Sequence, residues 1–356
     1  MNGAAGANGQ APLLDPLVMV QLEQYNLDIL NRPGIPRFAD LVQDAVTGQL
    51  DLSFSGLTNA FINIVFSEFI ANGQLIRQLL VVAILGALMS ALSEAFTHKS
   101  SSNTGFFVTY LMAAILAISS FYLSVQILTS VTDLVNNIML AALPVMIGLI
   151  TMSGNFIGAA SFHPILFFAL QLIAQFISNI FIPLVLSAAA LDVASQLSPE
   201  GKSLDKLAEI LRKVADWTLK GLVAVFAFLL TLQRITAPIT SNLALQTSRN
   251  MLGAVPVVGN AFTAAMDTVV SFSQVARSGV LVALVLVLCA ALIAPLVKIL
   301  VMASIYKITA AFLQPIADSR LTALMDGVGK HIVLMFSAAA LLGVMCIYTV
   351  VILLWF

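Results

Sequence analysis

Asp267 is the residue from which chemistry could start. It stands in a stretch, roughly 245–275, whose neighbours are mostly apolar, with Arg249 before it and Arg277 just after. A charge at the centre of a bilayer costs about 2.5–3.5 kcal/mol on insertion scales, so such groups pair or line water. An acid so placed could carry a proton or hold a sodium ion. Pairing with Arg249 or Arg277 across a turn competes with that use, as does snorkelling of the arginines to the interface. Other candidates are weaker. Cys289 and Cys346 lie inside apolar runs and read as small buried hydrophobes. His98, His163 and His331 stand far apart, each at the end of an apolar run, and read as interfacial histidines rather than ligands. The sequence holds no CxxC, no HExxH, no nucleotide loop and no nucleophile paired with a base. No catalytic residue, cofactor or metal is expected, and any energy the chain uses must come from another protein or an ion gradient.

Two proline-bearing words surround the uncharged and weakly charged stretches. "MLAALPVM" (Met139 to Met146) and "MLGAVPVVG" (Met251 to Gly259) are offset by 112 residues, and "PLV" recurs at Pro183 and Pro295 with the same offset. A backbone that turns at membrane depth leaves amides without helical partners, which survives only when buried in protein or facing a wet cavity. Interrupted segments at matching places in two repeats point to a transporter-type central site. On that reading Pro144, Gly154, Asn155, Pro256, Gly259 and Asp267 form the hairpins of a conduit, while Pro183 and Pro295 kink helices. The competing reading is that these prolines only kink or cap helices in a packed bundle.

The elements that must position these residues follow from composition. Of 356 residues, 60% are hydrophobic and 9% charged, against about 45–50% and 25% in soluble domains. The solvent must be partly lipid, so this is an all-α polytopic membrane protein. A net charge of −1 suggests no nucleic-acid partner and no polybasic clamp on a membrane. Apolar runs long enough to span are expected near 76–97, 105–129, 164–190, 219–236, 279–304 and 331–354. The offset of 112 residues predicts an internal repeat of helix, proline-broken segment, kinked helix and loop. If 133–161 and 245–275 turn back rather than cross, all eight lysines fall on one side, which the positive-inside rule makes cytoplasmic. The expected architecture is therefore about six spanning helices plus two re-entrant segments.

Domain boundaries follow this scheme: an N-terminal region at 1–74, a first span and short loop at 75–104, one repeat at 105–218, a second at 219–330 and a last helix at 331–356. Residues 1–74 carry seven acidic and two basic side chains and are expected outside the cytoplasm. Within them, 15–30 and 37–48 read as short amphipathic helices joined by "NRPGIPR". Phe54, Leu57, Phe61, Ile64, Val65 and Phe69 share one helical face, suited to core packing or to the headgroup region. The start, "MNGAAGANGQAPLL", has neither the basic nor the apolar part of a signal peptide.

Four passages carry a family resemblance: "GQLDLSFSGLTNAFINIVFSEFIANGQLIRQLL" (Gly48 to Leu80), "AALPVMIGLITMSGNFIGAASFHPIL" (Ala141 to Leu166), "VPVVGNAF" (Val255 to Phe262) and "LVKILVMASIYKITAAFLQPIADSRL" (Leu296 to Leu321). In order and spacing the chain resembles the stage III sporulation protein AE family from about residue 37 onward. The resemblance implies a permease-like body in the mother-cell membrane around the forespore. It also implies partners: other stage III sporulation membrane proteins, an ATPase and ring-forming proteins of a secretion-like complex. Members of that family usually open with a cleavable leader, a pattern from which this chain departs.

Three functions compete. The first is a channel or export-apparatus subunit, passive by itself. The second is an ion-coupled secondary transporter, which needs an intramembrane acid such as Asp267. The third is a non-conducting scaffold that docks other subunits. A parallel repeat can enclose a path within one chain, or pack as one wall of a homo-oligomeric ring.

Overall fold

The structure, a computed structural model, describes residues 54–95, 99–153, 156–197, 202–252, 285, 288–289 and 291–355. The expected amphipathic helices at 15–30 and 37–48 lie outside the described residues. Among the described residues every regular element is helical. Five helices among the described residues are long and apolar enough to cross a membrane, and a bent pair supplies a sixth candidate if it counts as one span.

That bent pair is α1 (Phe54–Ala71) and α2 (Gly73–Ala95), which meet at 56°. The bend has a local cause at Asn72. Its backbone N–H and its side-chain amide both donate to the Glu68 carbonyl, at 3.0 and 2.8 Å. The sequence then continues with Gly73, a poor helix former. On α1, Ile64, Val65 and Phe69 pack against the core, whereas Ile62, Phe66 and Ile70 are exposed. Those members of the expected stripe therefore serve packing.

Next comes α3 (Lys99–Ser153), whose apolar part is Phe107–Leu140. Such a length of helix extends about 50 Å, well beyond the roughly 30 Å of bilayer hydrocarbon. Its exposed face accordingly changes character along the axis. Phe107, Val108, Leu111, Met112, Ile115 and Ile118 are exposed in its first half, and Gln126, Thr129, Ser130 and Asp133 in its second.

Helix α4 (Phe156–Phe176) leads through a π turn, Ile177–Phe181, into α5 (Ile182–Leu197). The turn widens where Pro183 has no N–H to give the preceding turn, and Ile182 instead donates back to the Ile177 carbonyl. Helix α6 (Lys202–Leu252) follows, then α7 (Ala291–Leu313), and last α8 (Ser319–Trp355). Helix α8 occupies the centre and packs on α3, α4, α5 and α6. Its Leu321, Met325, Ile332, Met335, Ala338, Ala339, Leu342 and Cys346 are wholly buried. Small residues at 338, 339 and 343 let neighbouring helices approach, as membrane bundles without a hydrophobic drive between helices require.

Helix directions follow from contacts near the ends. Tyr110, at the start of the α3 span, donates to the Val193 carbonyl at the end of the α5 span, 2.9 Å away. Ser195 on α5 bonds Asp205 on α6, and a methyl at Gly86 on α2 would overlap Leu321 on α8. The C-terminal ends of α2, α5 and α7 and the N-terminal ends of α3, α6 and α8 therefore share one end of the bundle, the joint end. The spans of α3 and α4–α5 run in opposite directions, so α3 ends and α4 begins at the other end of the bundle. Lys202, Lys206, Lys213, Lys307 and Lys330 belong to the joint end, whereas Lys298 lies about two and a half turns further along α7.

Candidate functional site: a carboxylate shared by three helices

The charged cluster at the joint end is built from three helices. Asp192 stands in the second-last turn of α5, Arg212 in the third turn of α6 and His331 in the fourth turn of α8. Each position follows from its local sequence. On α6, Ala208, Ala215 and Leu219 form the buried edge, and Arg212 falls on that same edge, so its guanidinium is carried inward. On α8, Met325, Val328, Ile332 and Met335 turn into the core and take His331 with them, leaving it 1% exposed.

Both side chains meet the same oxygen. Arg212 Nη2 donates to Asp192 Oδ2, and His331 Nε2 lies 2.5 Å from that atom. The Asp192 and Arg212 side chains keep 17% and 24% of their surface. With the imidazole neutral, Asp192 and Arg212 cancel and the cluster carries no net charge, the arrangement that lowers the cost of burying ions. In that state His331 donates from Nε2, and its Nδ1 is a buried acceptor with no partner among the described residues; Arg212 Nε is likewise unpartnered there. The Phe121 ring meets the imidazole edge-on, with centroids 6.2 Å apart. Chemically, the cluster can fasten three helices.

Polar bonds continue on either side. Toward the joint, Ser195 Oγ donates to Asp205 Oδ1 at 2.5 Å and Gln196 Nε2 donates to the same oxygen at 3.2 Å, clasping α5 to α6. Deeper in, the Tyr306 hydroxyl reaches the Leu116 carbonyl at 3.0 Å and Ser120 Oγ at 2.9 Å, tying α7 to α3. At the opposite end, Asn136 Oδ1 on α3 and Gln171 Oε1 on α4 are buried acceptors without a partner among the described residues.

The residues singled out from sequence fall elsewhere. Pro144 does not interrupt its helix: α3 runs through it to Ser153. Gly154, Asn155, Pro256, Gly259 and Asp267 lie outside the described residues. Pro183 follows the π turn, and Pro295 lies in the second turn of α7. Their sequence neighbours did not point to Asp192, Arg212 or His331. His331, expected as an interfacial histidine, is buried within the protein and bonded to a carboxylate, because α8 is the central helix. Two signals were available: Asp192 ends the charge-free run 134–191, and Arg212 interrupts a small-residue face on an amphipathic segment.

The comparisons with known proteins follow from the membrane body as a whole. A family model described as stage III sporulation protein AE matches residues 37–356. Stage III sporulation protein AE of Bacillus subtilis (strain 168) is 29% identical over 307 residues, covering 85% of this chain and 76% of that protein. No solved structure matches the chain.

Proposed function

The chain belongs to the stage III sporulation protein AE family, and on that premise we propose that it is a channel or export-apparatus subunit of a complex joining mother cell and forespore. It resides in the mother-cell membrane around the forespore with residues 1–74 extracytoplasmic. It works there with other stage III membrane proteins, an ATPase and ring-forming proteins. Family membership makes it a sporulation protein, and its apolar helices fit an integral membrane protein.

One observation carries the conduit reading. At the end where α3 stops and α4 starts, these helices bury Asn136 Oδ1 and Gln171 Oε1, acceptors without a partner among the described residues. Within about three turns of Asn136, α3 exposes Gln126, Thr129 and Asp133. Buried acceptors of this kind are commonly met by water, as a wet path lined by Pro144, Gly154, Asn155, Pro256, Gly259 and Asp267 requires. The test is cysteine scanning of Gly154, Asn155 and Leu252 to Phe262 with an impermeant thiol reagent, partners present. Alternating reactivity supports a wet path, and complete protection sinks it.

A second reading, ion-coupled transport, is favoured by Asp192, a carboxylate bonded to a buried histidine inside the bundle. It requires Asp192 or Asp267 for function, so spore formation that survives Asp192→Asn and Asp267→Asn removes it. Under a scaffold reading, deletion of residues 1–47 abolishes assembly while substitutions at Pro144 and Pro256 are harmless.

A further inference from the structure

We infer that the outer face of α6 is where a second copy of this chain packs, α6 against α6 in parallel. The inference stands apart from the conduit reading and needs only that both copies sit in one membrane. The inner edge of α6 is spent on the bundle through Ala208, Arg212, Ala215, Leu219 and Phe226. On the opposite side Leu207, Ile210, Val214 and Trp217 are 45%, 56%, 46% and 76% exposed. The series continues through Gly221, Ala224 and Phe228, all exposed. The steps alternate between three and four residues throughout, the period of a helix–helix seam.

Neither water nor lipid suits this face. Four large apolar side chains point outward, yet Lys206, Glu209, Lys213, Asp216 and Lys220 are interleaved with them along the same stretch. The exposed face of α3 makes the contrast: Phe107, Val108, Leu111, Met112, Ile115 and Ile118 share residues 107–132 with no charged side chain. Lipid covers α3 without conflict. On α6 it would bury charges, and water would wet the seam, so a protein surface is the remaining cover.

The charge pattern identifies that protein. Lys206, Lys213 and Lys220 recur every seven residues along one flank of the seam, and Leu211, Thr218 and Val225 occupy the other. When two such helices pair in parallel, each lysine row meets the neighbour's uncharged row. An antiparallel pair would set lysine against lysine. Glu209 and Asp216 further neutralise Lys213 and Lys220 within the helix. Copies inserted in one membrane share one orientation, so a second copy presents a matching parallel seam. At Gly221 an added methyl would meet nothing within 4 Å in the single chain, leaving room for the neighbouring backbone to approach there and at Ala224.

The experiment is oxidative crosslinking of the full chain in native membranes, with Cys289 and Cys346 replaced. Single cysteines at Ile210, Val214 and Trp217 are expected to give a species of doubled mass, while cysteine at the equally exposed Ile115 of α3 gives none. Val214→Glu, combined with the Ile210 cysteine, is expected to abolish that species while the chain remains inserted and monodisperse in detergent. The inference is overturned if seam cysteines give no self-crosslink, if Ile115 crosslinks equally, if the products join this chain only to a different protein, or if Leu207 pairs with Trp217 in preference to like with like.

Discussion

Replacing Arg212 by methionine removes the guanidinium from Asp192 and keeps most of the packing volume. Breaking a fully buried ion pair by deleting one partner costs about 3–5 kcal/mol, because the other charge is left uncompensated. Here 24% of Arg212 and 17% of Asp192 remain exposed, which puts the expected loss at about 2–3 kcal/mol. Asp192→Asn removes the other charge while leaving an amide that can still accept a hydrogen bond, at about 1–2 kcal/mol. With both charges gone nothing is left uncompensated, so the double variant should lose at least about 1 kcal/mol less than the sum of the two. At roughly 2 °C per kcal/mol for a chain of this size, Arg212→Met alone lowers the midpoint by about 5 °C. The assay is the fraction of monodisperse protein left after heating in detergent, followed by fluorescence-detected size exclusion. Strictly additive losses, or shifts under about 1 °C for both single variants, would refute the assignment of Asp192 as a carboxylate held by a compensating cation.

Three further outcomes are expected. His331→Gln keeps a donor toward Asp192 and should be tolerated better than His331→Ala, which loses both the bond and the buried ring, by about 1–2 kcal/mol in the same heating assay. Gly86→Ala places a methyl on Leu321, which is fully buried; it should cost about 1–3 kcal/mol, and adding Leu321→Ala should recover part of the loss rather than deepen it. Tyr306→Phe deletes the hydroxyl shared by the Leu116 carbonyl and Ser120 and should cost about 1 kcal/mol, so an unchanged midpoint would show that α7 is not tied to α3 there.

Hydropathy made the membrane body legible because length and composition suffice to identify a span. The expected runs at 105–129, 164–190 and 331–354 each lie within or across one apolar helix, Phe107–Leu140, Ile165–Gln196 and Ser319–Ile352. Boundaries were less legible where a helix outruns the bilayer. The span expected from residue 219 has no boundary there: α6 passes from Lys202 through Gly221 into the apolar run without a break. A single glycine in a helix costs only about 1 kcal/mol and does not end it. The run at 76–97 likewise took no account of the bend at Asn72, which depends on a side chain meeting its own helix. The Asp192 cluster could not be read at all: His331 lies 139 residues from Asp192, and only packing of the last helix into the centre joins them.

The central proposal is that the spans return in pairs, so that the end of the bundle where α5 meets α6 and α7 meets α8 faces the cytoplasm while the proline-bearing stretches open to the other side. Single cysteines at Ser198, Gln314, Gly154 and Gly259, in a chain lacking Cys289 and Cys346, can be labelled with an impermeant maleimide in right-side-out and inverted vesicles. The account predicts that Ser198 and Gln314 react only from the cytoplasmic face, and Gly154 and Gly259 only from the opposite one. Labelling of Gly154 or Gly259 from the same face as Ser198 would contradict it.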